Sequence, residues 1–129
     1  LNIGALKSKN YDFVKKDIEA VKLSSNGKIL KVIIETDLLS KEEIKKACEL
    51  CIEAHADFVK TSTGFVKIGV GAKVEDVKLM AETVKPHGLR VKASGGIKNL
   101  EQAQDLINAG ADRLGTSSGK TILDELKEL

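Results

Sequence analysis

Residues 56–64 read ADFVKTSTG, the pattern of a buried strand that ends in a lysine. Two apolar residues run directly into Lys60, which is followed by small hydroxyl residues and a glycine. Residues 89–96, LRVKASGG, repeat the arrangement, with Lys92 in the corresponding place. In parallel α/β architectures the side chains that carry out chemistry gather at the carboxyl ends of the strands. Two strands that each run into a lysine therefore predict a parallel sheet with a site at one edge.

Short β-branched runs alternate with longer segments of helical periodicity, which is typical of βα units. The predicted strands are Leu30–Thr36, Asp57–Ser62, Arg90–Ser94 and Asp112–Ser117, with Leu1–Ile3 as the end of a fifth. The predicted helices are Tyr11–Leu23 (apolar face Phe13, Val14, Ile18 and Val21), one after the capping box Ser40–Glu43, Val74–Val84, one after the similar pattern Asn99–Gln102, and Ile122–Leu129. The phrases HADFVKTS and GADRLGTS echo each other, as repeated βα units of a barrel would.

Length and composition are those of one globular domain, which we place at residues 1–129. The 21 basic and 19 acidic residues nearly cancel, and aromatic residues make up only 3% of the chain. This composition lacks the basic footprint of a nucleic-acid surface, and no apolar run approaches the length of a membrane span. We therefore expect a cytoplasmic protein with neither nucleic acid nor membrane as a partner. Because the opening LNIGALK has no methionine and begins apolar, we expect an upstream segment to be missing.

Cys48 and Cys51 form a C-x-x-C pair, which can be a redox motif or half of a zinc site. The surrounding KKACELCIEA has a helical pattern, and no second pair or nearby histidine completes a metal site. We interpret both cysteines as small residues that pack a helix. His55 and His87 each stand alone near a helix end, so no metal site is predicted.

A lysine at a strand end can anchor a phosphate, transfer protons or act as a Schiff-base nucleophile. The last role requires an uncharged amine, and both burial and a second ammonium nearby disfavour the charged form. Lys60 and Lys92 on successive strands provide this arrangement without any cofactor. Glu35, at the end of the preceding predicted strand, could point into the same cavity or serve a structural role.

Two glycine- and serine-rich stretches, residues 94–96 (SGG) and 115–119 (GTSSG), follow the last two predicted strands. Glycines let backbone amides approach an anion, hydroxyls add donors, and a helix N-terminus adds partial positive charge. Barrel enzymes commonly bind phosphate with the loops after their last two strands. The sequence therefore predicts a phosphate site there. The segment GFVKIGVGAK is interpreted as an active-site loop, made mobile by Gly64, Gly69 and Gly71.

The motifs KVIIET, ADFVKTSTGF, VEDVKLM, VKASGGIK and GTSSG, in this order and spacing, resemble the deoxyribose-phosphate aldolase family. The opening NIGALKSKNYDFVKKDIEAV resembles the middle portion of the same family, so the resemblance covers essentially the whole chain. It implies a (β/α)8 TIM barrel, of which this chain would cover roughly strands four to eight. It also implies class I aldolase chemistry that reversibly cleaves 2-deoxy-D-ribose 5-phosphate to glyceraldehyde 3-phosphate and acetaldehyde.

The same resemblance implies roles for individual residues. Lys60 would be the Schiff-base nucleophile, and Lys92 would keep its amine uncharged and assist proton transfer. The substrate phosphate would be held by Gly95, Gly96, Ser117 and Ser118. The family's proton-relay aspartate would precede Leu1, so we expect the isolated chain to lose most turnover, with imine formation surviving. The loop after Lys60 is longer than is usual in the family, and Phe65 stands where some members have a lysine.

A partial barrel cannot close its sheet, so two strand edges and much apolar interior would face water. We therefore expect a homo-oligomer or association with the missing N-terminal half. Two other functions stay open at this point. One is a catalytically silent half-barrel that binds a sugar phosphate or assembles with a partner half. The other is a different phosphosugar enzyme, such as an isomerase that uses Lys92 electrostatically.

Overall fold

The computed structural model describes all 129 residues, and its centre is a four-stranded parallel sheet. The strands follow one another in chain order across the sheet, and each neighbouring pair is parallel. They are β1 Lys31–Ile33, β2 Phe58–Lys60, β3 Arg90–Ser94 and β4 Arg113–Gly115. A helix connects each strand to the next, which is the arrangement expected for part of a (β/α)8 barrel.

The chain also contains six α-helices: α1 Ile3–Lys7, α2 Tyr11–Ser24, α3 Lys41–Glu53, α4 Val74–Val84, α5 Leu100–Asn108 and α6 Gly119–Lys127. Short 3₁₀ turns occupy Thr36–Leu38 and Lys85–His87. The predicted capping box of α3 is confirmed, because Ser40 and Glu43 each accept the other's backbone amide. That of α5 is half formed. Asn99 accepts the Gln102 amide, but the Gln102 side chain accepts the amide of Lys98 instead of that of Asn99.

Leu1 and Asn2 belong to no strand and helix α1 begins at Ile3, so the prediction that Leu1–Ile3 ends a strand was wrong. The carboxamide oxygen of Asn2 accepts the amide of Ala5 at 2.9 Å, which caps a helix that begins at Ile3. The sheet therefore contains four strands where we expected parts of five.

Three of the strands are shorter than predicted, whereas β3 has the predicted bounds. Strand β1 stops at Ile33 because Glu35 adopts the left-handed conformation (φ 58°) and a 3₁₀ turn follows. Strands β2 and β4 stop at Lys60 and Gly115, where the small hydroxyl residues leave the sheet. Helix α6 begins at Gly119, three residues before the predicted Ile122.

Alternate strand positions face opposite sides of the sheet. Val32, Val59 and Val91 face the helices and join a core that includes both cysteines, each with no exposed surface. The packing interpretation of the cysteines is thus confirmed, and burial raises the pKa of Cys51 to about 12 and that of Cys48 further. The predicted apolar face of α2 is only partly correct: Val14 and Ile18 are buried, but Phe13 and Val21 are about half exposed. Helix α2 packs mainly on α1 and α3, at one end of the helical layer.

The similar segments HADFVKTS and GADRLGTS, which lead into β2 and β4, share a structural role for their aspartates. Asp57 accepts the amide of Leu30 at 2.8 Å and the ammonium of Lys22 at 2.6 Å. Asp112 likewise accepts a backbone amide of the preceding strand and a lysine ammonium. Each aspartate therefore ties the start of its strand to the neighbouring strand. The Leu30 amide, together with Lys22, lowers the pKa of Asp57.

Candidate active site

The two lysines of the predicted site are direct partners across the sheet. Lys60, the last residue of β2, is in register with Lys92 of β3, so their Cα atoms lie about 4.8 Å apart. Because Val59 and Val91 face the helices, both lysines face the opposite side, which we call the inner face. Each lysine side chain is half-buried. The sheet thus places two lysines side by side, and neither forms an ion pair with an acidic side chain.

A polar cavity of about 500 Å³ opens at the carboxyl ends of β2, β3 and β4. It brings Lys60 together with all four residues predicted to bind phosphate. Its lining comprises Lys60, Ser62, Thr63, Gly64, Ser94, Gly95, Gly96, Ile97, Lys98, Gly115, Thr116, Ser117 and Ser118. Lys92 lies beside this lining. A Cβ atom at Gly115 would approach its Cε to 3.1 Å and its Nζ to 3.7 Å, so the glycine leaves room for the lysine.

Free hydrogen-bond donors are concentrated in this cavity. The backbone amides of Gly95, Gly96 and Ser117 donate to no group within the chain. Ser118 is the N-cap of α6, and its hydroxyl makes no capping bond. The left-handed conformations of Gly95 (φ 87°) and Gly96 (φ 73°) require glycine. Such amides, a free hydroxyl and a helix N-terminus form an environment suited to an anion such as phosphate.

The ends of β2 and β3 are tied together beneath the cavity. The Thr61 hydroxyl donates to the Ser94 carbonyl at 2.9 Å and accepts the Ser94 amide at 3.0 Å. The Ser94 hydroxyl donates to the Ser62 carbonyl at 2.7 Å. These bonds hold Lys60 and Lys92 in register and fix the positions from which the glycines leave the sheet.

Glu35 holds the loop after Lys60 and is absent from the cavity lining. Its carboxylate accepts the amide of Thr63 at 3.1 Å and the Thr63 hydroxyl at 2.6 Å. This favours the structural role over a catalytic one. Further along the loop, a Cβ atom at Gly71 would lie 2.3 Å from the Gly95 carbonyl oxygen. Close backbone approach therefore accounts for Gly71, where we had predicted mobility.

The sequence reasoning missed some of the lining, notably Thr63, Gly64 and Lys98. Lys98 comes directly after SGGI, and its position just behind a predicted anion loop was an available signal.

A second cavity, of about 520 Å³, lies at the opposite end of β2 and β3 and is lined by His55 and His87 among others. We place the chemistry at the carboxyl end, because the lysine pair and the free amides converge only there. Nowhere in the chain do three histidine, cysteine or acidic side chains group as metal ligands would. None of the helices is both long and apolar enough to span a bilayer.

A lysine pair beside a cavity rich in free amides, at the carboxyl ends of parallel strands, is typical of barrel enzymes that bind phosphorylated substrates. Comparison with known proteins makes this specific. The chain belongs to the DeoC/LacD aldolase family, whose sequence profile matches residues 1–125.

Individual relatives agree with that assignment. The chain is 62% identical over 128 residues to a deoxyribose-phosphate aldolase of Clostridium novyi, and 60% identical over 124 residues to one of Finegoldia magna. These matches cover 98% and 96% of this chain but only 56% and 57% of the relatives. The chain therefore spans little more than half the length of the relatives it matches.

Solved structures show the same relationship. An aldolase called QR15 superposes with a TM-score of 0.89 at 49% identity, over 98% of this chain and 56% of its own. A tetrameric deoxyribose phosphate aldolase from Aeropyrum pernix superposes with a TM-score of 0.78 at 37% identity, over 88% of this chain and 48% of its own.

Proposed function

We propose that this chain carries the Schiff-base lysine and the phosphate cradle of a class I aldolase. The phosphate cradle is the set of free donors formed by the amides of Gly95, Gly96 and Ser117 and the Ser118 hydroxyl. The reaction is the reversible cleavage of 2-deoxy-D-ribose 5-phosphate to D-glyceraldehyde 3-phosphate and acetaldehyde, in the cytoplasm. The observation that carries the proposal is the register pairing of Lys60 with Lys92 at the mouth of a cavity rich in free amides. The names of the relatives supply the substrate.

The lysine pair supplies the covalent chemistry. The neutral amine of Lys60 attacks C1 of the open-chain sugar, and loss of water gives a protonated imine. When a base removes the proton of the 3-hydroxyl, the C2–C3 bond breaks and its electron pair moves to form the enamine. Glyceraldehyde 3-phosphate leaves. The enamine is then protonated at C2, and water hydrolyses the resulting imine to acetaldehyde and free Lys60.

Lys92 assists these reaction steps from the neighbouring strand. It lies in register with Lys60, so a second lysine side chain stands beside the nucleophile throughout the reaction. Lys92 can also exchange a proton with the reacting atoms, because it faces the same side of the sheet as Lys60.

The phosphate group is held at the other end of the cavity. The free amides of Gly95, Gly96 and Ser117 and the Ser118 hydroxyl donate to its oxygens, and the N-terminus of α6 adds partial positive charge. Lys98 lines the same space and contributes a full charge. Binding the phosphate at this end positions the other end of the substrate, so that C1 lies at the Lys60 amine.

The chain also needs a partner for its inner face. Strands β1 and β4 are paired on one side only, and unpaired strand edges associate readily. The inner face below Lys60 and Lys92 is also not covered by any helix of the chain. There the cationic groups of Lys31, Arg90 and Arg113 lie 4.9 to 5.9 Å from the ring centre of Phe58. We propose a homo-oligomer or a complex with the complementary barrel segment of the longer relatives. Light scattering should report a species larger than one chain, and a stable monomer would contradict this proposal.

Substrate class is tested by trapping with sodium borohydride. The chain is incubated with 2-deoxyribose 5-phosphate or with unphosphorylated 2-deoxyribose, reduced, and measured by intact mass. We expect a reduced adduct at much lower concentration of the phosphorylated sugar, because only that sugar uses the cradle. Equal trapping by both sugars would remove the phosphate cradle from the proposal. Phosphate binding without any adduct would favour a catalytically silent half-barrel.

A further inference from the structure

An acidic residue outside the lysine cavity holds the loop that backs the phosphate cradle. Asp37 lies in the 3₁₀ turn after β1, and each of its carboxylate oxygens accepts a backbone amide of the loop. Oδ1 accepts the Val70 amide at 3.1 Å, and Oδ2 accepts the Gly71 amide at 2.8 Å. Both acceptor atoms of one carboxylate are thus used on two consecutive residues.

Residues 70–72 lie directly against Gly95 and Gly96, the two glycines of the phosphate cradle. The Ala72 amide donates to the Gly95 carbonyl at 3.0 Å. A Cβ atom at Gly71 would lie 2.3 Å from that carbonyl oxygen, and one at Gly96 would lie 2.4 Å from the Val70 carbonyl oxygen. The backbones are in contact with no side chain between them, so a shift of residues 70–72 has to move Gly95 and Gly96.

We propose that Asp37 is a positioning residue for phosphate binding. Its carboxylate fixes residues 70–71, and these hold Gly95 and Gly96 in the conformation that leaves their amides free. Glu35 holds the beginning of the same loop through Thr63, so two acids after β1 secure both ends of the segment that follows Lys60. The inference rests on the proposed phosphate cradle and extends it to a residue that touches no substrate.

Electrostatics alone predicts the opposite effect, which makes the inference testable. A carboxylate close to the cradle repels a bound phosphate, so neutralising it should tighten phosphate binding. If Asp37 acts by positioning, Asp37→Asn weakens binding instead. The variant keeps one acceptor oxygen but turns an NH₂ group towards a backbone donor, and one of the two loop bonds is lost.

The experiment measures inorganic phosphate binding by calorimetry together with imine trapping by acetaldehyde, which carries no phosphate. For Asp37→Asn we expect about tenfold weaker phosphate binding, as loss of one charge-assisted hydrogen bond from the loop would give, with unchanged trapping. Asp37→Glu keeps the charge but moves the carboxylate, and it should weaken phosphate binding similarly. Asp12→Asn is the control, since that exposed aspartate pairs only with Lys16 on its own helix.

The outcomes separate the inference from the proposed function. Unchanged or tighter phosphate binding by Asp37→Asn would overturn the positioning role while leaving the aldolase proposal intact. Parallel loss of phosphate binding and trapping would show a general structural role and also overturn it. A wild-type chain that forms the imine but binds no phosphate would refute the cradle and the inference together. A wild-type chain that forms no imine would contradict the proposed function itself.

Discussion

Replacing Gly71 by alanine tests whether close backbone contact organises the site. Gly71 has φ +80°, and its added Cβ would lie 2.3 Å from the carbonyl oxygen of Gly95 and 2.7 Å from its Cα. The obstructing atoms are backbone, so no side-chain rotation can relieve the overlap. Either the loop or the cradle must move, and the bond from the Ala72 amide to Gly95 breaks in the process.

The expected cost has three parts. Forcing a non-glycine residue into the left-handed region costs about 1 kcal/mol. The lost backbone hydrogen bond adds about 1 kcal/mol, and overpacking adds at least about 1 kcal/mol. The free energy of unfolding should therefore fall by about 3 kcal/mol.

Gly88 provides the matched control. It has φ +83°, but a Cβ atom there meets nothing within 4 Å. Gly88→Ala should lose only the conformational part, about 1 kcal/mol. The assay is urea denaturation of both variants and the wild type, with phosphate binding as a second readout. The difference of about 2 kcal/mol between the variants measures the contact. Equal destabilisation, or a Gly71→Ala variant that still binds phosphate normally, would show that contact between Gly71 and Gly95 does not organise the site.

Three further results are expected. Cys48 and Cys51 are fully buried and their pKa values are raised by that burial, so iodoacetamide at pH 8 should modify neither in the folded protein and both in urea; labelling of the folded chain would contradict this. The lowered pKa of Asp57 means that its carboxylate stabilises the fold at neutral pH and that this contribution disappears as the pH falls below about 4. Asp57→Asn should therefore cost only about 0.5 kcal/mol at pH 7, because solvent screens this partly exposed carboxylate, and should show a smaller further loss on acidification than the wild type; an unchanged acid profile would oppose that assignment. Lys92→Met should reduce imine trapping at least about tenfold, because the variant loses the proton-transferring group beside Lys60, whereas Lys31→Met, also on the inner face, should not; equal trapping by both would remove Lys92 from the chemistry.

The position of the site could be predicted because it depends on local patterns. A strand that runs into a lysine, followed by glycine and hydroxyl residues, keeps that order in any parallel sheet, and Lys60 and Lys92 indeed meet in register. The bounds of β3 were predicted for the same reason. The serine–glycine stretch leads into α6 as expected, although the helix begins earlier.

What could not be predicted depends on contacts distant in sequence. Asp37 reaches the loop 33 residues further on, and no periodicity encodes such a contact. The half-exposed Phe13 and Val21 show the same limit, since an apolar stripe gives no sign of whether another element covers it. At Leu1–Ile3 the error was local: an apolar start suggested a strand, while the Asn2 cap determined a helix.

Reductive trapping with acetaldehyde shows whether Lys60 forms an imine. The chain is incubated with acetaldehyde and sodium borohydride at neutral pH, digested, and mapped by mass spectrometry, with Lys60→Ala as the control. We predict a single ethyl group on Lys60 and none in the variant. An unmodified wild-type chain, or an ethyl group found equally on Lys92 or on exposed lysines, would contradict the Schiff-base assignment.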